Sequence, residues 1–368
     1  LWANKSRQVA QKSEDKAVAE AKRAESRRLA ALSDVVRPER LDLAMLLALE
    51  AAKQGDTLEA RGSLQRSLDA RPEVVRFLHV PEGWVRSVAF GPEGKIAAGY
   101  SGGGSGVVLF DARGERLRPA PLGVKEGNVT SVAFGPEGKI AAGYGGGGGG
   151  VVLFDARGER LRAAPLEVKE GYVNSVAFGP EGQIAAGYRG FVGGAGVGGV
   201  VLFDARGERL RPTPLEVKEG YVMSVAFGPE GQIAAGYGVV LGPGGGDGGV
   251  VLFDARGERL RPTPLVVKEG DVTSVAFGPE GKIAAGYGVG GSYRGGVVLF
   301  DADPASWRRK AGQTANRNFT RLEWTRYFPE TSYRRTIRSL PWPHDLPEAE
   351  RKQAEAFEKE HPEGSDAS

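Results

Sequence analysis

Hydrophobic and polar positions along this chain form a pattern that returns five times. The segment SVAFGPEGKIAAGY occupies 87–100 and recurs at 131–144, 175–188, 224–237 and 274–287, differing only at Lys95, Lys139, Gln183, Gln232 and Lys282. A glycine-rich gap follows each copy, and then VVLFDARGERLR or its last, shorter form. Removing the gap lengths of 6, 6, 11 and 12 residues from the spacings of 44, 44, 49 and 50 leaves 38 each time. A fixed unit therefore repeats and one loop absorbs every length change.

SVAF predicts a short strand, and Gly-Pro-Glu-Gly supplies a tight turn. IAAGY predicts a second strand whose alanines suit a crowded position. VVLF is apolar throughout, so both of its faces are expected to be buried. Asp-Ala-Arg-Gly-Glu predicts the next turn. RLRPAPL is the expected fourth strand, on an outer edge because its prolines cannot donate to a ladder. The unit is thus a four-stranded antiparallel meander, the blade of a β-propeller.

These residues carry a resemblance. SVAFGPEGKIAAGY followed by VVLFDA resembles the WD-repeat pattern, with Phe110-Asp111, Phe154-Asp155, Phe203-Asp204, Phe253-Asp254 and Phe300-Asp301 at the dipeptide position. The family's Gly-His step is replaced by Glu126-Gly127, Glu170-Gly171, Glu219-Gly220 and Glu269-Gly270, so its histidine-centred hydrogen-bond tetrad is absent. The fold expected is mainly β: a five-bladed WD-like β-propeller of four-stranded antiparallel blades with α-helical N- and C-terminal flanks. Residues 74–303 would form it, the last blade being completed by a strand over Val74–Val80. The alternative is an incomplete ring that pairs with another chain.

The flanks follow helical spacing. Residues 1–33 read as a polar connector helix or a signalling stalk, with opposite charges near i,i+4. Residues 34–73 read as a helical hairpin beside the propeller, broken at Gly55, with Asp56 and Glu59 as its capping pair and Pro72 as its stop. Residues 304–368 read as a helical tail, with helices over Ser306–Ala315 and Leu346–His361, a capping box at Thr320 and Glu323, and a Pro341–Pro343 turn. The polar helix, the LDLAMLLALEAA hairpin, the blades and the ANRNFTRLEWTRYF tail together resemble the C-terminal sensor region of bacterial STAND-type signalling NTPases. That resemblance implies a sensor portion without the nucleotide-binding module.

Composition narrows the chemistry. There is no cysteine, which removes disulfides, thiol nucleophiles and cysteine-based zinc sites. A net charge of +3 with mixed signs calls for no nucleic-acid partner. No apolar run is long enough to span a membrane. The start Leu1-Trp2-Ala3 before Asn4-Lys5-Ser6-Arg7 can be read as the end of a membrane helix upstream of Leu1, or as a plain boundary. A cytoplasmic chain, tethered or not, is the expectation. His79, His344 and His361 are scattered, and Gly-Pro-Glu-Gly-Lys is followed by isoleucine rather than the Ser/Thr of a phosphate loop. The DARGER charges read as surface ion pairs with the adjacent arginines. No catalytic constellation, metal or cofactor is expected, and the chain is expected not to be an enzyme.

A partner surface is legible from the differences between copies. In an antiparallel meander the glycine gaps and the Glu-Gly corners share one rim. Variation concentrates there, at Trp84/Arg86, Asn128/Thr130, Tyr172/Asn174, Tyr221/Met223 and Asp271/Thr273, and in the gaps at Arg189, Phe191, Tyr293 and Arg294. Aromatic residues and arginine anchor interfaces, so a protein or peptide ligand is the expected partner. Two other readings remain: the rim merely tolerates change, or the repeats serve as a structural or oligomerisation scaffold.

Overall fold

A computed structural model describes residues 2–192, 195–238, 247–288, 295–301 and 313–361. The chain divides into two compact units, Leu1–His79 and Val80–Ser368.

The first unit is helical: α1 (Trp2–Val36), α2 (Leu41–Gln54) and α3 (Leu58–Asp69). Small residues line its seam, with Ser26, Ala30, Ser33, Ala44, Ala48, Ala51 and Ala60 all buried. Small side chains let helix backbones approach, and the hydroxyls of Ser26, Ser33 and Thr57 are satisfied, while that of the buried Ser63 has no partner among the described residues. Ser33 donates to the Ala44 carbonyl at 2.8 Å, and the Ser26 and Thr57 hydroxyls lie 2.9 Å apart. This packing decides the cap of α3. Thr57, not Asp56, is the N-cap and accepts the Ala60 N–H at 3.2 Å, while Asp56 pairs with Arg61. The threonine wins because its hydroxyl also joins the buried Ser26.

The second unit contains five antiparallel sheets in chain order. The first holds β1 (Gly83–Phe90), β2 (Ile96–Gly102), β3 (Ser105–Phe110) and β4 (Leu122–Gly123); the second holds β5 (Asn128–Phe134), β6 (Ile140–Gly145), β7 (Gly150–Phe154) and β8 (Leu166–Glu167). The third holds β9 (Tyr172–Phe178), β10 (Ile184–Val192), β11 (Ala195–Phe203) and β12 (Leu215–Val217); the fourth holds β13 (Tyr221–Phe227), β14 (Ile233–Gly238), β15 (Gly248–Phe253) and β16 (Leu265–Val267). Among the described residues the last sheet has three strands, β17 (Asp271–Phe277), β18 (Lys282–Gly288) and β19 (Gly295–Asp301). Each core is shared by consecutive sheets: Ala97, Val107 and Leu109 of the first meet Val129, Val132 and Ala142 of the second. The same cluster recurs at the next three boundaries. This is a propeller-like array, mainly β with helical flanks.

Two expectations change. The outer strand is only two or three residues long and starts after the prolines. Its ladder in the first sheet is Gly106↔Gly123 and Val107↔Leu122. No strand forms over Val74–Val80. That segment ends two residues before β1, so it could complete the last sheet only if the first and last sheets were neighbours. They are not, since Val88 and Leu299 on their outer faces are both exposed.

In the tail, α4 (Arg321–Tyr327) opens with the expected capping box of Thr320 and Glu323, and α5 spans Glu348–Glu360. Residues 302–312, where most of the helix expected over Ser306–Ala315 falls, lie outside the described residues.

Candidate functional site

The rim geometry follows from the strand order. Each Glu-Gly corner sits against the glycine hairpin of the sheet before it. A Cβ at Gly149 would fall 1.8 Å from the Gly171 carbonyl oxygen, and Gly248 donates its N–H to the Gly270 carbonyl at 3.2 Å. Glycine is thus required by close approach of backbones. Gaps and corners occupy one end of the array.

The variable positions divide by register. Trp84, second in β1, and Asn128, Tyr172, Tyr221 and Asp271, first in their inner strands, pair with Ser101, Gly145, Arg189, Gly238 and Gly288. Arg86, Thr130, Asn174, Met223 and Thr273 fill the β-bulge two residues later, where the register slips. Three of the bulge side chains, Thr130, Asn174 and Thr273, are committed to the array. Thr130 donates to the Gly143 carbonyl at 3.0 Å and lies 2.7 Å from that of Val173 on the next sheet. Asn174 donates to the Val222 carbonyl at 2.8 Å, with the Met223 sulfur 3.7 Å away, and Thr273 donates to the Gly286 carbonyl at 3.3 Å.

Among the opening positions, Trp84, Tyr172 and Asn128 are exposed. Arg86 stacks over Trp84 at 5.4 Å and donates to the Ser101 hydroxyl at 3.1 Å; the exposed Arg189 stacks over Tyr172 at 5.9 Å. Tyr221 is not available: it is 4% exposed. The nine-residue strands β10 and β11 carry their hairpin over it, so that a Cβ at Gly196 would meet its ring at 2.5 Å. Asp271 is half-buried against Gly238. Phe191 pairs with Gly196 in the backbone register. Tyr293 and Arg294 lie outside the described residues.

A second repeated constellation escaped the sequence reading. The corner glutamate pairs with the last arginine of DARGER: Glu82 with Arg116 at 2.5 Å, Glu126 with Arg160, Glu170 with Arg209 at 2.5 Å and Glu219 with Arg259 at 2.7 Å. The hydrogen bond from Arg116 holds Glu82 below the usual carboxylate range. Burial pushes Glu126 and Glu219 upward, but the hydrogen bonds from their arginines and from backbone N–H groups, with the arginine charges, together outweigh it, and both end lowered. The tyrosine of AAGY lies beside each pair. Burial, then the charge of Glu170, raises Tyr188 to about 12; burial, then Glu219, raises Tyr237 to about 12. A Glu–Arg–Tyr cluster thus recurs at the first four sheets. The signal was present, since the pair's separations of 34, 34, 39 and 40 residues track the gap lengths.

The DARGER charges act differently from expectation. Asp111 accepts the N–H groups of Arg113 at 2.9 Å and Glu115 at 2.8 Å, closing its own turn. Glu159 accepts from Arg118 of the preceding sheet at 2.7 Å. The short aspartate cannot reach outward while it satisfies that turn.

A separate cleft of about 650 Å³ lies in the tail, among Trp324, Phe328, Tyr333, Phe357, Arg321 and Glu350. Among the described residues no group of three His, Asp or Glu is placed to hold a metal, and no helix is long and apolar enough to cross a membrane.

No family model matches this chain, and no curated protein matches it either. Solved structures do. A protein of unknown function from Bacteroides caccae is 17% identical over 64% of this chain and 84% of that one, with a TM-score of 0.46. A gluconolactonase from Xanthomonas campestris is 13% identical over 55% of this chain and 68% of that one, with a TM-score of 0.41. The extracellular domain of a protein described as a hybrid two-component system from B. thetaiotaomicron is 14% identical over 58% of this chain and 26% of that one, with a TM-score of 0.38. An enzyme is therefore among the structures this chain is similar to. That corrects the expectation that the chain is not an enzyme, and the exclusion is withdrawn.

Proposed function

We propose that this chain is a recognition module that engages a protein or peptide partner on the rim carrying the glycine-rich hairpins. The observation behind this reading is the pair of exposed aromatic–arginine stacks, Trp84 with Arg86 and Tyr172 with Arg189, on that rim. Flat aromatic faces with stacked guanidinium groups suit partners that offer apolar side chains and carboxylates. The opposite rim, by contrast, repeats the same GPEG and DARGE turns in nearly every copy. In this reading the array is WD-repeat-like and serves as the sensing end of a STAND-type signalling protein, with the helical unit leading toward an effector.

The test is direct. Peptides selected from a displayed library on the wild-type chain are titrated against the triple variant Trp84→Ala, Tyr172→Ala, Arg189→Ala and against the opposite-rim variant Arg113→Ala, Arg157→Ala. The expected result is at least a tenfold loss of affinity for the first and none for the second. Equal binding by the wild type and the triple variant, with an unchanged melting curve, refutes the proposal.

A further inference from the structure

The four boundaries between consecutive sheets are built alike, and each has two sides. The leading side is the inner strand of the later sheet, with its valines and phenylalanine. At the second to fifth sheets Val132, Val176, Val225 and Val275 are 5%, 5%, 6% and 7% exposed. The receiving side is the earlier sheet, where a glycine of AAGY leaves room for two of those valines. A Cβ at Gly99 would stand 2.7 Å from methyl carbons of Val129 and Val132, and one at Gly143 2.8 Å from Val176. The phenylalanine ring covers the glycine of the preceding GPEG turn: Phe134 would lie 2.7 Å from a Cβ at Gly91.

One of each side remains uncovered. On the first sheet Val88 is 66% exposed, and Val85 and Phe90 are exposed with it. On the last sheet, among the described residues, a Cβ at Gly286 would meet nothing nearer than Ser274 at 3.7 Å, and no phenylalanine lies over Gly278. Leu299 there is 69% exposed, whereas its counterparts Leu109, Leu153, Leu202 and Leu252 are buried. The two free faces have the shape and chemistry of a boundary already made four times, but within the chain they do not meet.

We infer that these faces are the two halves of one interface and that a second copy of this chain fills each, head to tail. Val85 and Val88 of one copy seat on Gly286 of the other, Phe90 covers Gly278, and the Ser274 hydroxyl accepts the Val88 N–H. Among the described residues the last sheet has three strands, with no outer strand paired to β19. Leu78-His79-Val80-Pro81-Glu82-Gly83 repeats the pattern Leu122-Gly123-Val124-Lys125-Glu126-Gly127, in which the leucine begins the outer strand. Leu78–Val80 of one copy supplies that strand to β19 of the other. The contact is heterologous, so it propagates to a ring or a filament. This inference does not rest on the recognition rim.

The experiment is sedimentation velocity on the full chain over a concentration series. The wild type is expected to exceed the mass of one copy and to grow with concentration. Val88→Glu disables the leading face. Gly286→Val disables the receiving face, because its side chain has room in one copy but clashes with the valines of a second. Each variant alone is expected to stay at one copy with an unchanged circular dichroism spectrum. An equimolar mixture is expected to form a species of two copies and stop there, since one good face of each kind remains. Phe90→Glu and Leu299→Glu form an independent second pair should either first variant fold poorly. A wild type that remains at one copy throughout, including one whose own ends join, overturns the inference. So does a mixture that stays at one copy while the wild type assembles.

Discussion

The hydroxyl oxygen of Ser87 accepts the backbone N–H of Val132, 3.0 Å away on the next sheet. The same bond joins Ser131 to Val176 at 3.1 Å, Ser175 to Val225 at 3.1 Å and Ser224 to Val275 at 3.0 Å. The valine lies two residues past the bulge on the edge strand of its sheet, where an N–H facing away from the ladder has no strand to bond, and the serine of the preceding sheet accepts it instead. Each sheet is thereby registered on its neighbour by a directional bond as well as by apolar contact.

Ser131→Ala should therefore destabilise the array by about 1–2 kcal/mol, because the Val176 N–H is left without a partner in a buried place. Urea unfolding measures it. Ser274→Ala in the Gly286→Val background, where no second copy can dock, should leave the midpoint unchanged. A Ser131→Ala midpoint equal to the wild type would show that the bond contributes nothing net.

Much of this arrangement could be read directly. The constant 38-residue unit specified sequential four-strand sheets, and the alternation of turns placed the gaps and the Glu-Gly corners on one rim. Thr320 and Glu323 were legible because a capping box is local in sequence. What escaped is what needs a neighbour. The serine of SVAF looks like an ordinary strand residue until the next sheet presents the Val132 N–H. The glycine of GPEG looks like turn chemistry alone, although the Phe134 ring of the next sheet covers Gly91. Tyr221 looks like its counterpart Tyr172, and only the longer hairpin of β10 and β11 buries it. Asp56 was the better cap by local spacing, and the buried Ser26 hydroxyl reversed the choice.

The Glu126–Arg160 pair offers a test of the repeated Glu–Arg–Tyr cluster. Both side chains are largely covered. Arg160→Met should cost about 2–3 kcal/mol, because it leaves a carboxylate in a poorly solvated place. Adding Glu126→Gln should recover at least half of that loss. A double-mutant cycle in urea reads the coupling, and additive effects would show that the two groups do not act as a pair.

The tyrosines of the same clusters predict how the array responds to alkali. Tyr188 and Tyr237 are raised from 10.0 to about 12, first by burial and then by the charges of Glu170 and Glu219. In the unfolded chain they return to about 10. Below that pH both states keep the proton, and the contribution to stability is fully present. Between about 10 and about 12 the unfolded state loses its protons first, so stability falls as pH rises through that window. The loss is on the order of 2–3 kcal/mol for each ring by the upper end. Tyr188→Phe with Tyr237→Phe removes both titrations and should flatten the alkaline limb of the melting temperature while leaving its slope near neutral pH unaltered. Melting followed from pH 8 to 12 decides it, and an alkaline limb that the double variant leaves as steep as the wild type's would place the titrating groups elsewhere.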